Sequence, residues 1–222
     1  MGQRVQPQTA TRSLGRPQPV ERASYLVTKR ALDIIGALLG LTLLAPLMVL
    51  VAIAVKLETP GPVFFAQYRL GKHGKPFLLR KFRSMTASAP DVRDSLAQAN
   101  EASGPVFKIK RDPRMTRVGR LIRKYSIDEL PQLWHVLTGK MTLVGPRPPI
   151  PSEVESYVPW QTERLAVKPG LTCIWQVRGR SDIGFEDWVK LDIEYVRTRS
   201  LTLDLKLLVL TIPAVITARG AY

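Results

Sequence analysis

The sequence predicts an α/β protein, mostly helical with a few short strands, held at a membrane by one re-entrant helix and flanked by interfacial amphipathic segments. Three observations carry this reading. Ile34 to Val55 is a run of 22 residues without a charge. Short apolar runs around Phe64 and Phe77 are bounded by turn residues, the pattern of brief strands. Val118–Leu121–Ile122–Tyr125 and Trp188–Leu191–Asp192–Tyr195 repeat at helical spacing.

The uncharged run is long enough to cross a bilayer, which takes roughly 20 apolar residues. It is longer than the ~7–15-residue apolar core of a cleaved leader. Pro46 lies near its middle, where a missing N–H and a crowded carbonyl predict a kink or break at Ala45-Pro46. Lys29 and Arg30 precede the run, and Lys56, Arg69, Lys72 and Lys75 follow it. Basic flanks prefer the cytoplasmic side. A helix that enters, turns at Pro46 and returns puts both flanks there; an ordinary kinked anchor is the competing reading.

Four regions follow: a basic tail over residues 1–28, the membrane helix over 29–57, a folded domain over 58–200 and an interfacial segment over 201–222. The tail is rich in Gln, Pro, Arg and Ser and has little to bury. Glu58-Thr59-Pro60-Gly61-Pro62 is a turn cluster that ends the apolar run. Strands are expected at Val63–Gln67 and Phe77–Phe82, a short helix within 91–102, and an edge strand at Val106–Lys110. Lys168–Thr172 reads as a turn and Ile174–Val177 as a strand. Phe185–Val196 is an amphipathic helix with Asp192 on its apolar face, so that carboxylate needs a cation or a donor. The apolar core from Leu205 to Ile216 is short for a span and suits the interface.

Lys plus Arg number 33 against 18 Asp plus Glu, a net charge of +15. Such a balance points to phosphate, whether on nucleic acid, lipid or a small substrate. Two segments concentrate it. Arg69 to Arg83 holds six basic residues and no acid, and Pro105 to Ser126 holds eight against Asp112. The second leads into Ser126-Ile127-Asp128-Glu129-Leu130-Pro131. Ser126 with Glu129 fits a capping box, and Asp128 as the cap fits Pro131 in the first turn. Either way two adjacent carboxylates begin a helix, with Gly139 as its C-terminal stop. Simple capping explains such a pair. A nucleophile also fits, because the helix start keeps a carboxylate ionised, and two carboxylates are a partial ligand set for Mg²⁺. In Gly145-Pro146-Arg147-Pro148-Pro149, three prolines stiffen the backbone around a guanidinium suited to phosphate, or form a rigid linker. The single cysteine, Cys173, excludes an internal disulfide.

Taken together, the stretches KRALDIIGALLG, KFRSM (Lys81 to Met85), DPRMTRVGRLIRKYSIDELPQLWHVL (Asp112 to Leu137), LVGPRP (Leu143 to Pro148), PGLTCIWQVRGR (Pro169 to Arg180) and RGAY (Arg219 to Tyr222) resemble the bacterial sugar transferases. These are monotopic phosphoglycosyl transferases, and the chain looks most like their short exopolysaccharide-type members. The resemblance implies a cytoplasmic catalytic domain on the inner membrane. It implies transfer of a sugar-1-phosphate, glucose or galactose, from a UDP-sugar to undecaprenyl phosphate with release of UMP through a covalent aspartyl intermediate. It maps the nucleophile to Asp128 and the Mg²⁺-associated carboxylate to Glu129. Lys81, Arg83, Arg147 and Asp192 fall to the phosphate or nucleotide. The family's membrane helix breaks at a Ser-Pro pair, which here is Ala45-Pro46.

A membrane-tethered nucleic-acid binder has charge alone in its favour, since no recognition helix, zinc spacing or RNA-binding strand pattern is present. A non-catalytic membrane scaffold is the third class. The expected partners are therefore UDP-sugar, undecaprenyl phosphate and membrane lipid, without nucleic acid.

Overall fold

The computed structural model describes residues 22–86, 88, 89, 92, 94–218 and 220. In chain order they form α1 (Ala23–Glu58), the strands β1 (Phe64–Leu70) and β2 (Pro76–Phe82), α2 (Arg117–Lys124), α3 (Leu133–Leu137) and β3 (Thr142–Val144). Then come α4 (Pro151–Glu155), β4 (Gly170–Thr172), α5 (Ile174–Arg178), α6 (Phe185–Thr198) and α7 (Leu201–Thr217). The mostly helical composition with short strands matches the expectation. β1 and β2 form an antiparallel hairpin with Phe64 opposite Phe82, and β3 and β4 form a short parallel pair.

Several local expectations are corrected. Val106–Lys110 forms no strand, although Glu101 N donates to the Lys108 carbonyl at 2.8 Å. Ile174–Val177 is helical, because Ile174 and Trp175 both face the core across one turn of α5. The turn expected at 168–172 contains β4: β3 needs a partner, and Gly170 allows one. A Cβ on Gly170 would meet Gly145 N at 2.0 Å, so the two backbones approach only because both are glycine. The helix expected within 91–102 is a 3₁₀ turn, Asp94–Ala99. Most of the basic tail, residues 1–21, and Arg219, Ala221 and Tyr222 of the RGAY ending lie outside the described residues.

The membrane segment also differs. It starts at Ala23, before Lys29, and remains helical through Pro46 up to Glu58 without the expected break. Proline deletes one donor and crowds one carbonyl; the long apolar turns on either side hold helical geometry regardless. At ~1.5 Å per residue, 36 residues make about 54 Å.

α1 is docked at two patches. Near its start, Asp33 and Ala37 are buried; near its end, Val51 and Val55 are. Between them Thr42, Leu43, Ala45, Pro46, Leu47, Val49 and Leu50 are exposed. At the first patch Asp33 accepts hydrogen bonds from Thr142 Oγ1 at 2.7 Å and Leu143 N at 2.8 Å. Arg30 donates to the carbonyls of Val136 and Leu137, both at 2.7 Å, closing the C-terminal end of α3. Gly139 follows at φ +77°, the left-handed stop foreseen from the sequence. Lys29 Nζ donates to Asp204 of α7 at 2.9 Å, and Tyr195 of α6 donates to the same carboxylate at 2.7 Å. At the second patch Glu58 accepts from Arg117 N at 2.6 Å and Val118 N at 3.0 Å, capping α2. Both ends of α1 thus bond to one folded body.

That body has four small apolar clusters. Ala37 packs with Leu79, Val136 and Met141, and Val51 and Val55 pack with Phe82 and Ile122. Leu207 of α7 joins Val144, Ile174 and Tyr195. Phe185, Val189 and Ile193 form the last, on α6. α7 is therefore anchored by one face while Leu205, Val209, Leu210, Ile212 and Ile216 stay exposed.

Candidate active site

The adjacent carboxylates lie in a 3₁₀ turn, Ile127–Gln132, that runs directly into α3. Neither capping arrangement expected from the sequence is present. Ser126 precedes the turn at φ +55° and its side chain caps nothing; its hydroxyl instead accepts from Arg180 Nη2 at 3.2 Å. The left-handed Ser126 turns the chain sharply after α2, and Pro131 holds φ for the following turn. β2 packs on this turn, which brings Lys81 next to Asp128.

Asp128 and Glu129 open onto a cleft of about 1070 Å³. Lys81 Nζ stands 4.0 Å from Asp128 Oδ2 and 5.8 Å from the centre of the Phe65 ring. Arg147 Nη1 donates to Glu129 Oε1 at 2.8 Å. The two acids are thereby differentiated. Burial, with the neighbouring Glu129 charge adding to it, outweighs Lys81 and pushes Asp128 up to about 6. Glu129 is buried too, yet Arg147 and Lys81 hold it below the usual carboxylate range. Burial brings Lys81 down to about 8. At neutral pH this leaves two carboxylates and a lysine close to the edge of losing its proton.

Other cations line the same cleft. Arg123 of α2 and Lys108 stand on it, as does Arg180. Lys108 is brought down to about 8 by burial first and by Arg147 and Arg123 next. Sequence reasoning left Lys108 and Arg123 inside a general basic stretch and Arg180 only at the end of a matching motif; Arg123 follows Ile122 on a helix whose apolar side is buried, and that phase was the available clue.

The expected site residues divide. Lys81, Asp128, Glu129 and Arg147 come together. Arg83 also lines the cleft, but it is 6 % exposed and its guanidinium donates to the carbonyls of Thr59, Pro60 and Pro62 at 2.9, 3.0 and 2.6 Å and to Thr59 Oγ1 at 2.7 Å. Alternation would put Lys81 and Arg83 on one face, but β2 ends at Phe82, so Arg83 is free of the strand's phase. Its positive charge closes the C-terminal end of α1. Asp192 is fully buried, pairs with Arg164 Nη2 at 2.5 Å and accepts from Trp188 Nε1 at 3.0 Å. Such pairing is the commoner fate of a carboxylate on an apolar helix face. Ala45 and Pro46 are exposed on the middle of α1.

Asp128 and Glu129 supply hard oxygen donors on an open cleft, a set that fits Mg²⁺ shared with substrate phosphates and does not fit a closed all-protein cage. Among the described residues no group of three or more His, Cys, Asp or Glu forms such a cage.

The chain matches the family model described as bacterial sugar transferase over residues 24–218. It is 37% identical over 224 residues to the exopolysaccharide production protein ExoY of Rhizobium meliloti, covering 96% of this chain and 99% of that one. It is 41% identical over 228 residues to the UDP-glucose:undecaprenyl-phosphate glucose-1-phosphate transferase of Caulobacter vibrioides, covering 97% and 80%. To the galactosyl transferase CpsE of Streptococcus agalactiae it is 42% identical over 199 residues, covering 89% of this chain and 44% of that one. The chain thus spans less than half of the last relative and nearly all of the first. With a matching model across almost its whole length and relatives near 40% identity, this chain belongs to the bacterial sugar transferase family.

Proposed function

We propose that the chain transfers a sugar-1-phosphate from a UDP-sugar to undecaprenyl phosphate by two displacements at Asp128. The observation that carries this is the pairing of an exposed-to-cleft carboxylate with Lys81 at 4.0 Å and a second carboxylate held by Arg147 at 2.8 Å. In the first displacement an Asp128 oxygen attacks the phosphorus that bears the sugar. The pyrophosphate bond breaks, an acyl-phosphate bond forms, and UMP leaves with the bonding electrons. In the second, a phosphate oxygen of the lipid attacks the same phosphorus, and Asp128 departs as a carboxylate. Lys81 and Arg147 gather negative charge and stabilise it as it shifts to the leaving oxygen. Lys108, Arg123 and Arg180 extend the positive lining along the cleft. Glu129 and Asp128 would hold Mg²⁺, which supplies charge neutralisation on the diphosphate. The sugar is read as glucose or galactose, the sugars in the names of relatives from Caulobacter vibrioides and Streptococcus agalactiae.

The re-entrant reading of α1 rests on its two docked ends. A helix bonded through Asp33 and Arg30 at one end and Glu58 at the other to one folded body fits both ends on the same side of the bilayer. Its exposed apolar middle, with that of α7, is the surface that would enter lipid. The lipid phosphate then meets the cleft at the cytoplasmic face of the inner membrane, where UDP-sugars are found. The test is a membrane fraction supplied with undecaprenyl phosphate, Mg²⁺ and a panel of UDP-sugars. Release of UMP with one sugar, abolished by EDTA, supports the reading; salt-sensitive DNA binding without UMP release would replace it.

A further inference from the structure

The loop that carries Arg147 is held in an unusual way. Its four consecutive carbonyls each accept a hydrogen bond, and each from a different donor. Gly170 N of β4 donates to Pro146 O at 2.9 Å, and Leu70 N of β1 donates to Pro149 O at 2.9 Å. Between them, Arg164 Nη2 donates to the carbonyl of Arg147 itself at 2.8 Å, and Arg69 Nη1 donates to Pro148 O at 3.1 Å. Three of the four loop residues are prolines and offer no donor in return. The loop therefore depends on its surroundings for hydrogen-bonded anchoring.

Arg164 is 1 % exposed. Its other contacts are Asp192 at 2.5 Å and the hydroxyl of Tyr157 at 2.6 Å, with the Trp188 ring centre 5.2 Å from its guanidinium carbon. A buried guanidinium bonded to one carbonyl needs a counter-charge to stay there, and Asp192 provides it. We infer that Arg164 with Asp192, and Arg69 separately, are positioning residues that fix the Arg147 guanidinium against Glu129 for phosphate binding. Arg164 and Asp192 stand off the cleft and act through the carbonyl of Arg147, whereas Arg69 lines the cleft and acts through the neighbouring carbonyl of Pro148. The inference rests on the proposed role of Arg147 in the site. It also assigns a use to Asp192 other than the substrate contact implied by the family resemblance. Misplacement by ~1 Å of a group that orients a reacting phosphate costs up to about a hundredfold in rate.

The experiment is a double-mutant cycle on kcat/KM for UMP release, using the full chain in membrane or detergent. The single variants are Arg147→Ala, Asp192→Asn, Arg69→Gln and Arg69→Lys, with Asp192→Asn and Arg69→Gln also combined with Arg147→Ala. Asp192→Asn and Arg69→Gln each lower kcat/KM about tenfold or more, and Arg69→Lys restores most of the loss, since lysine still donates to Pro148 O. In the Arg147→Ala background the same substitutions change kcat/KM less than about twofold, because the group they position is gone. Arg69→Gln keeps the test alive if Asp192→Asn fails to fold, since Arg69 lies at the edge of the domain in β1. Equal fold-losses with and without Arg147 would overturn the inference, as would full activity of Arg69→Gln in a folded protein. If Arg147→Ala alone is fully active, the site reading fails and the positioning role falls with it; if Arg147→Ala is impaired but the cycle shows no coupling, only the positioning role fails.

Discussion

Asp128 and Asp192 are the same residue in similar burial, and burial pushes each up to about 6. They differ in partner and in access. Asp128 has a lysine at 4.0 Å, across a gap, and faces the cleft. Asp192 has an arginine at 2.5 Å and an indole N–H at 3.0 Å, and it is sealed at 0 % exposure. A loosely held carboxylate keeps lone pairs for an incoming phosphorus. A tightly held one, sealed away from the cleft, can reach nothing. Burial and a perturbed carboxylate do not by themselves mark a nucleophile; the distance to the cation and the opening in front of it decide.

The comparison breaks most sharply by substitution. Asp128→Asn is expected to lower UMP release at least about a thousandfold, as loss of a nucleophile does. Its thermal stability should change by less than about 1 kcal/mol, since the substitution removes a buried charge and keeps the shape. Asp192→Asn should do the reverse in stability. It leaves Arg164 buried without its counter-charge, a loss of about 3–5 kcal/mol by denaturant unfolding. A stable Asp192→Asn protein together with an unfolded Asp128→Asn protein would invert the roles assigned here.

Arg83 sharpens the same contrast among cations. Its donors are committed to the end of α1 and the turn after it, whereas among the described residues Lys81 approaches Asp128 only at 4.0 Å. Arg83→Ala should lose about 2–4 kcal/mol of stability, with the KM for UDP-sugar in the folded fraction within about twofold of the parent. A tenfold rise in that KM at unchanged stability would return Arg83 to the substrate.

The pH dependence gives the smallest effect, about tenfold per unit outside the optimum. In the proposed reaction Asp128 must be ionised to attack, so activity is expected to fall as pH drops through about 6. Lys81 must be charged to draw phosphate, so activity falls again as pH rises through about 8. Lys81→Arg should remove the alkaline limb and leave the acid one. An alkaline limb unchanged in Lys81→Arg would assign it to another group, Lys108 being the candidate.

Much of this arrangement was legible in the chain, and the failures have physical causes. The hairpin strands follow from short apolar runs bounded by turn residues, α2 and α6 from periodicity, and Gly139 from its position after the last apolar residue of α3. The dyad drew notice as two carboxylates after a basic run, but capping explained that pair as well, and only the family resemblance separated Asp128 from Glu129. What the sequence could not carry was the pairing of distant residues. Arg164 is one of many arginines, and only the packing of its segment against α6 makes it the partner of Asp192. Ile174–Val177 was misread because a short apolar run fits strand and helix alike. The unbroken helical course of α1 through Pro46 was also hidden: local chemistry favours a break, while polar anchors at Asp33, Arg30 and Glu58 fix the two ends wherever the middle goes. The bonds that tie Arg83 to the end of α1 were not legible, because a basic residue beside Lys81 looks the same in sequence whichever way it points.

The central claim is that Asp128, and not another carboxylate, takes the phosphosugar. The direct measurement is intact-protein mass spectrometry, followed by peptide mapping, after mixing the purified chain with UDP-sugar and Mg²⁺ in the absence of undecaprenyl phosphate. The account predicts a single added hexose phosphate, one equivalent of UMP, an adduct on the peptide containing Asp128, and its loss when undecaprenyl phosphate is added. An adduct on any other residue, or one that still forms in Asp128→Asn, would contradict it.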